Sequence, residues 1–109
     1  MASRTATPLD HPELADVSFA EALEALRDPH RLAMVAALAR EPGRPCHAIM
    51  PPVSKPAASR HFKILRAAGL LRQWDEGTRR LNALRREEFD ARFPGLLELA
   101  VAEARRLHS

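Results

Sequence analysis

Residues 54–84 read SKPAASRHFKILRAAGLLRQWDEGTRRLNAL, and the chemistry of the stretch changes at Gly69. Before Gly69, Ala58, Phe62 and Leu65 recur at i, i+4 and i+7, the inward stripe of a helix over 55–68. Ser54 is the cap, Pro56 sits in the first turn, and Gly69 is a helix stop. Lys55, Ser59, Arg60 and Lys63 fall on the other faces and point outward. After Gly69, short runs at 70–74 and 78–84 flank Asp75-Glu76-Gly77, which predicts a β-hairpin over 70–84. Helix propensity competes in the Arg-rich second arm.

Upstream, PCHAIM at 45–50 has room for one or two helical turns before Pro51-Pro52 end it. Further back, HRLAMVAALAR follows Asp28-Pro29, a cap and a proline suited to the first helical position. Its Leu32, Met34, Val35, Ala36 and Leu38 predict a central helix, stopped by Glu41-Pro42-Gly43. Before that, Ser18 and Glu21 form a capping box opening SFAEALEALR, with Phe19, Leu23 and Leu26 on one face. Downstream lie a short helix, REEFDARF, and a last helix after Pro94 with Leu96, Leu97, Ala100, Val101, Ala104 and Leu107 as its apolar stripe. Residues 1–9 lack periodicity and read as a flexible tail, leaving 10–109 as one domain.

The fold class expected is mainly α with a small β-hairpin, with about five to six helices. The chain has 109 residues, the size of a single domain, and is 46% hydrophobic and 28% charged, which excludes wholesale disorder. The single cysteine excludes an internal disulfide or a multi-cysteine zinc site. No apolar run approaches the roughly 18 residues of a membrane span, and no secretory leader is visible, so a cytoplasmic location is expected. The net charge of +3 is unevenly spread. Residues 54–86 hold nine basic and two acidic residues, +7, while the remainder carries −4. A basic segment in an otherwise acidic small protein is the footprint of a polyanion binder.

A short helix, a tight turn and a basic helix make a helix-turn-helix, and the basic hairpin after it makes a wing. The major groove of duplex DNA admits one α-helix, whose first turns then meet base edges. Arg60 is the leading candidate for base contact, since Arg pairs bidentately with guanine; a phosphate contact is its alternative. Ser54, Lys55, Pro56, Ser59 and Lys63 are expected at the DNA, chiefly at phosphates. Ala57 either packs on a thymine methyl or is simply exposed, and His61 either reaches DNA or packs against the neighbouring helix. Thr78, Arg79 and Arg80 of the wing are expected at phosphates or an adjacent minor groove.

The sequence here resembles the ArsR/SmtB group of bacterial winged-helix repressors. The resemblance spans about residues 18–107 and is carried by Asp28-Pro29-x-Arg31-Leu32, Ser59-Arg60-His61-Phe62, Leu65-Arg66-x-x-Gly69-Leu70 and Glu76-Gly77. It implies a homodimer on a roughly palindromic double-stranded operator, usually with repression relieved by an effector, and a bacterial, nucleoid-associated protein. The metal-binding positions of that group depart from the pattern. Its Cys-x-Cys pair falls near Gly43 and Pro45 here, Cys46 has only His47 beside it, and the last helix offers only His108. Zinc needs three or four ligands at about 2.0–2.3 Å, so no metal and no other cofactor is expected.

The apolar stripe near the C-terminus either folds back on its own core or, as this architecture favours, pairs with the first helix of a second copy, through Phe19, Leu23, Leu97, Val101 and Ala104, because a domain this small gains burial by association. Trp74 either flanks the wing or marks a ligand pocket, and Cys46 is either a packing residue or a redox-sensitive thiol. A winged helix used only for protein interaction is the competing function, separable by salt-dependent DNA affinity. An enzyme is not expected: there is no Gly-rich phosphate loop and no nucleophile with a base and an orienting carboxylate.

Overall fold

The structure, a computed structural model, describes residues 9–107. Residues 1–8 of the expected tail, and His108, lie outside them. The chain order is α1 (Phe19–Leu26), α2 (Pro29–Arg40), β1 (Arg44–Pro45), α3 (Cys46–Ile49), α4 (Lys55–Ala67), β2 (Leu71–Glu76), β3 (Arg79–Leu84), α5 (Arg86–Arg92) and α6 (Leu96–Leu107). A single 3₁₀ turn, Leu14–Asp16, precedes α1. This is six helices with a small antiparallel sheet, the architecture of a winged helix-turn-helix. None of these helices is long and apolar enough to cross a membrane.

The helix starts follow their caps. Ser18 Oγ accepts from the Glu21 amide at 3.0 Å, and Glu21 Oε1 accepts from the Ser18 amide at 2.8 Å, so two orphan N–H groups of α1 are satisfied reciprocally. Asp28 Oδ2 accepts from the His30 and Arg31 amides at 2.9 and 3.1 Å, with Pro29 opening α2. Helix α4 ends in a Schellman motif: the Gly69 amide donates to Arg66 at 3.1 Å and the Leu70 amide to Leu65 at 3.1 Å. Gly69 has φ +76°, which strains any other residue, and a Cβ there would lie 2.7 Å from Leu14 Cδ1 and push that side chain aside.

Helix α2 is central. Its Met34, Val35 and Leu38 pack in one core with Phe62 and Leu65 of α4, Phe89 of α5 and Leu97 of α6. Leu14 and Val17, before α1, join that core.

Four details differ from the sequence expectation. The sheet has three strands in the order β1-β3-β2, and β1 was not expected; it is two residues long, contains a proline, and exists only because Arg44 and Pro45 pair with Asn82 and Leu81. The first hairpin arm runs further, to Glu76, which pairs with Arg79 at the start of the second, so the turn is Gly77-Thr78 and not 75–77. Gly77 has φ 62°, which a two-residue hairpin turn requires at its first position in the II′ form. On α1 the stripe of Phe19, Leu23 and Leu26 is split: Leu26 is buried with Ala22 and Ala25, whereas Phe19 and Leu23 are exposed, as a place at a partner's helix requires. The fourth is the 3₁₀ turn at 14–16, too short to carry a periodic signal.

Candidate nucleic-acid interface

Helix α3 and helix α4 are joined by Pro51, Pro52 and Val53, tightened by the Val53 amide donating to the Pro51 carbonyl at 2.8 Å. Ser54 Oγ then accepts from the Ala57 amide at 3.3 Å and starts α4. The helix is sharply two-faced. Ala58, Phe62 and Leu65 are buried, while Lys55, Pro56, Ser59, Arg60 and Lys63 are exposed and Ala57 is half-buried. No ion pair among the described residues engages Lys55, Arg60 or Lys63. The result is a cationic face at the positive end of a helix, suited to anionic oxygens and to acceptor groups on base edges.

His61 departs from that face. Its Nδ1 lies 3.0 Å from Arg31 Nη1 and 3.9 Å from Asp28 Oδ2, and its ring centroid is 5.8 Å from that of His30. Of the two placements open to it in the sequence, the side chain takes the packed one. A guanidinium only donates, so Nδ1 accepts and the ring is neutral. Burial holds its pKa below the ordinary 6.5, with Asp28 pulling the other way.

The wing presents its cations differently. Thr78, Arg79 and Arg80 are exposed. Arg80, however, makes a two-pronged contact with Asp75, Nε to Oδ1 at 2.9 Å and Nη2 to Oδ2 at 3.3 Å. Arg79 sits opposite Glu76 in the strand register. Trp74 is half-buried, donates from Nε1 to Glu76 at 3.2 Å and lies under the Arg72 guanidinium at 5.3 Å, which is the hairpin-flank placement.

A polar seam, not anticipated from the sequence, joins wing to helix. Arg66 of α4 donates to Gln73 Oε1 at 2.6 Å, and Gln73 Nε2 donates to Asn82 Oδ1 at 2.7 Å. Asn82 Nδ2 donates to the Arg44 carbonyl at 3.0 Å. Both amides also approach Cys46 Sγ, at 3.7 and 3.5 Å. Asn82 is fully buried and Gln73 nearly so, and every donor they bury has a partner. The signal was present: alternation puts Gln73 on the same face as buried Leu71, where an apolar residue is the default. The backbone N–H of Gln73 donates outward to His11 Nε2 at 3.1 Å, which fastens the segment before α1 to the sheet edge. Burial, then the nearby Arg85, lower the His11 pKa from 6.5.

The surface expected for self-association is divided. Phe19 and Leu23 are exposed, and α6 adds exposed Leu99 and Leu107. Between α1 and α6 an open apolar hollow of about 320 Å³ is lined by Leu23, Leu26, Leu32, Leu96, Leu99 and Ala100. Leu97, Val101 and Ala104, by contrast, are buried within this chain and have almost no surface left for a partner. From Leu97 to Ala104 the stripe read on α6 is the inward one, used against the chain's own core, and only its end at Leu107 is exposed. Among the described residues no three His, Cys, Asp or Glu side chains cluster as metal ligands would.

Comparison with known proteins supports the architecture. A family described as a helix-turn-helix domain matches residues 26–73. The crystal structure of an ArsR-family transcriptional regulator is similar at 28% identity and TM-score 0.60, covering 81% of this chain and 92% of that one. A solution structure from Mycobacterium bovis, of a homodimeric winged helix-turn-helix DNA-binding domain described as a possible ArsR-family transcriptional regulator, is similar at 27% identity and TM-score 0.61. That likeness covers 83% of this chain and 82% of the other. No curated protein matches. Fold and partial sequence similarity thus support a winged helix-turn-helix of ArsR-like kind, at low identity.

Proposed function

We propose that this chain is a homodimeric, sequence-specific DNA-binding transcriptional regulator of the ArsR type, acting as a repressor. The observation that carries the proposal is the cationic face of α4, where Lys55, Arg60 and Lys63 are exposed without ionic partners among the described residues, opposite the buried stripe of Ala58, Phe62 and Leu65. The similarity to ArsR-family regulators points the same way. In this reading α4 enters the major groove, with Arg60 on a base edge and Ser59 and Ala57 beside it. Ser54, Lys55, Pro56 and Lys63 border the phosphates. Thr78, Arg79 and Arg80 reach phosphates or the next minor groove. His61 acts from within, on the placement of the helix.

Two copies pair through α1 and α6, with exposed Phe19, Leu23, Leu99 and Leu107 as the apolar contact and buried Leu97, Val101 and Ala104 as its backing. The two α4 helices then sit about 34 Å apart, one turn of DNA, on a roughly palindromic site. The work is binding rather than catalysis, in the cytoplasm. An effector, if there is one, is not a metal at the group's usual positions.

Selection of bound sequences from random duplex DNA, followed by titration against salt, tests the proposal. The expected result is an enriched two-half-site sequence with log affinity falling steeply against log salt. Absence of DNA affinity at low salt sinks it in favour of a protein-interaction module.

A further inference from the structure

We infer that Arg31 and His61 are positioning residues that fix α4 relative to α1 and thereby set how faithfully the exposed face of α4 meets a base sequence; the inference rests on the DNA-binding reading above. Arg31 is 5% exposed. Its guanidinium donates three ways: Nε to the Ala25 carbonyl at 2.7 Å, Nη2 to the Glu24 carbonyl at 3.0 Å and Nη1 to His61 Nδ1 at 3.0 Å. The two carbonyls belong to the last turn of α1, where they lack helical partners and carry the negative end of the helix dipole. Asp28, which caps α2, holds the Arg31 backbone amide at 3.1 Å. One side chain therefore joins the end of α1, the start of α2 and the middle of α4.

No carboxylate lies within 4.0 Å of this guanidinium as an ion pair among the described residues. A buried cation hydrogen-bonded only to carbonyls and an imidazole, with Asp28 and Glu24 attracting it through space and not by direct contact, is a costly way to fill space, and an apolar residue would pack there at less expense. What a planar fork supplies, and an aliphatic side chain does not, is three fixed directions at once. One of those directions ends on the residue adjoining Arg60, the leading base-contact candidate. The opposite half of α4 is held by Arg66 to Gln73, so the helix is tied at two points along its length.

The test compares the unmodified protein with His61→Phe, His61→Asn and Arg31→Lys. Each is titrated against a duplex enriched from a random pool by the unmodified protein, and against a scrambled duplex of equal length. Thermal melts select a temperature at which all four are folded. Asparagine can present Oδ1 where His61 presents Nδ1; phenylalanine keeps the ring and removes the acceptor; lysine keeps the charge and removes the fork. The expected result is a fall of about tenfold in the enriched-to-scrambled affinity ratio for His61→Phe and Arg31→Lys. Scrambled-duplex affinity stays unchanged, because Lys55, Arg60 and Lys63 remain, and His61→Asn recovers the ratio. A ratio unchanged in His61→Phe and Arg31→Lys overturns the inference. So does an equal loss on both duplexes, which marks plain destabilisation, or a His61→Asn variant as impaired as His61→Phe. An unmodified protein without any enriched sequence overturns the DNA-binding reading itself, and this inference with it.

Discussion

Helix α4 and the wing both display basic side chains, but they hold them differently. On α4, Lys55, Arg60 and Lys63 stand without ionic partners among the described residues. On the wing, Arg80 is clamped by Asp75, Arg79 faces Glu76, and Arg72 lies over Trp74. The lesson is that counting cations along a sequence overstates a wing. A cation already paired must exchange a carboxylate for a phosphate, and the net gain is small, whereas an unpaired one gains the whole contact. The helix is therefore expected to carry specificity and most of the affinity, and the wing a modest, sequence-blind share.

The two regions share one support, and removing it breaks both. Leu65, on the inner stripe of α4, is 1% exposed. Leu65→Ala is expected to cost about 2–5 kcal/mol of stability, read by chemical denaturation, and to abolish DNA binding near the lowered melting temperature. A loss below 1 kcal/mol would show that α4 is not anchored as described.

The next effect separates the regions. Arg60→Ala is expected to lose about 1–3 kcal/mol on the preferred duplex and to relax selection at one position of each half-site. Arg79→Ala is expected to weaken all duplexes alike, by less than about 1 kcal/mol, and to reduce the salt slope by about 1 per subunit. Equal, uniform losses in both variants would erase the distinction. Asp75→Asn sharpens it from the other side: releasing Arg80 is expected to raise affinity for scrambled DNA severalfold and leave the selected sequence unaltered. If affinity falls instead, Asp75 holds Arg80 in its binding pose.

The smallest effect concerns pH. Burial lowers the pKa of both His61 and His11 below 6.5. The unfolded chain thus binds more protons than the folded one as pH falls through about 6.5, so stability is full above that value and is lost on acidification toward the folded pKa values. A melting temperature that declines by a few degrees from pH 7.5 to pH 5.5 is the expected outcome, with a shallower decline in His11→Asn. Around His11, the Arg85, Arg66 and Arg72 side chains all oppose its protonation. A flat profile would mean that neither ring is held neutral.

The sequence by itself determined the helices, their caps and the outward face of α4. These are local matters: Ser18 with Glu21, Asp28 before Pro29, Ser54, and Gly69 act within a turn of themselves, and a period of 3.6 writes burial directly into residue order. Only the tertiary structure decided the remainder. Strand β1 is two residues with a proline, invisible until Asn82 and Leu81 lie beside it. The α6 stripe of Leu97, Val101 and Ala104 declares an apolar face without saying whether its own chain or another covers it; here its own chain does. Likewise Arg31, Gln73 and Asn82 are unremarkable polar letters until residues 30, 7 and 9 positions away close their hydrogen bonds. Propensity and periodicity sum over neighbours in sequence, whereas a buried polar group is tolerated only by neighbours in space, and those come into being with the fold.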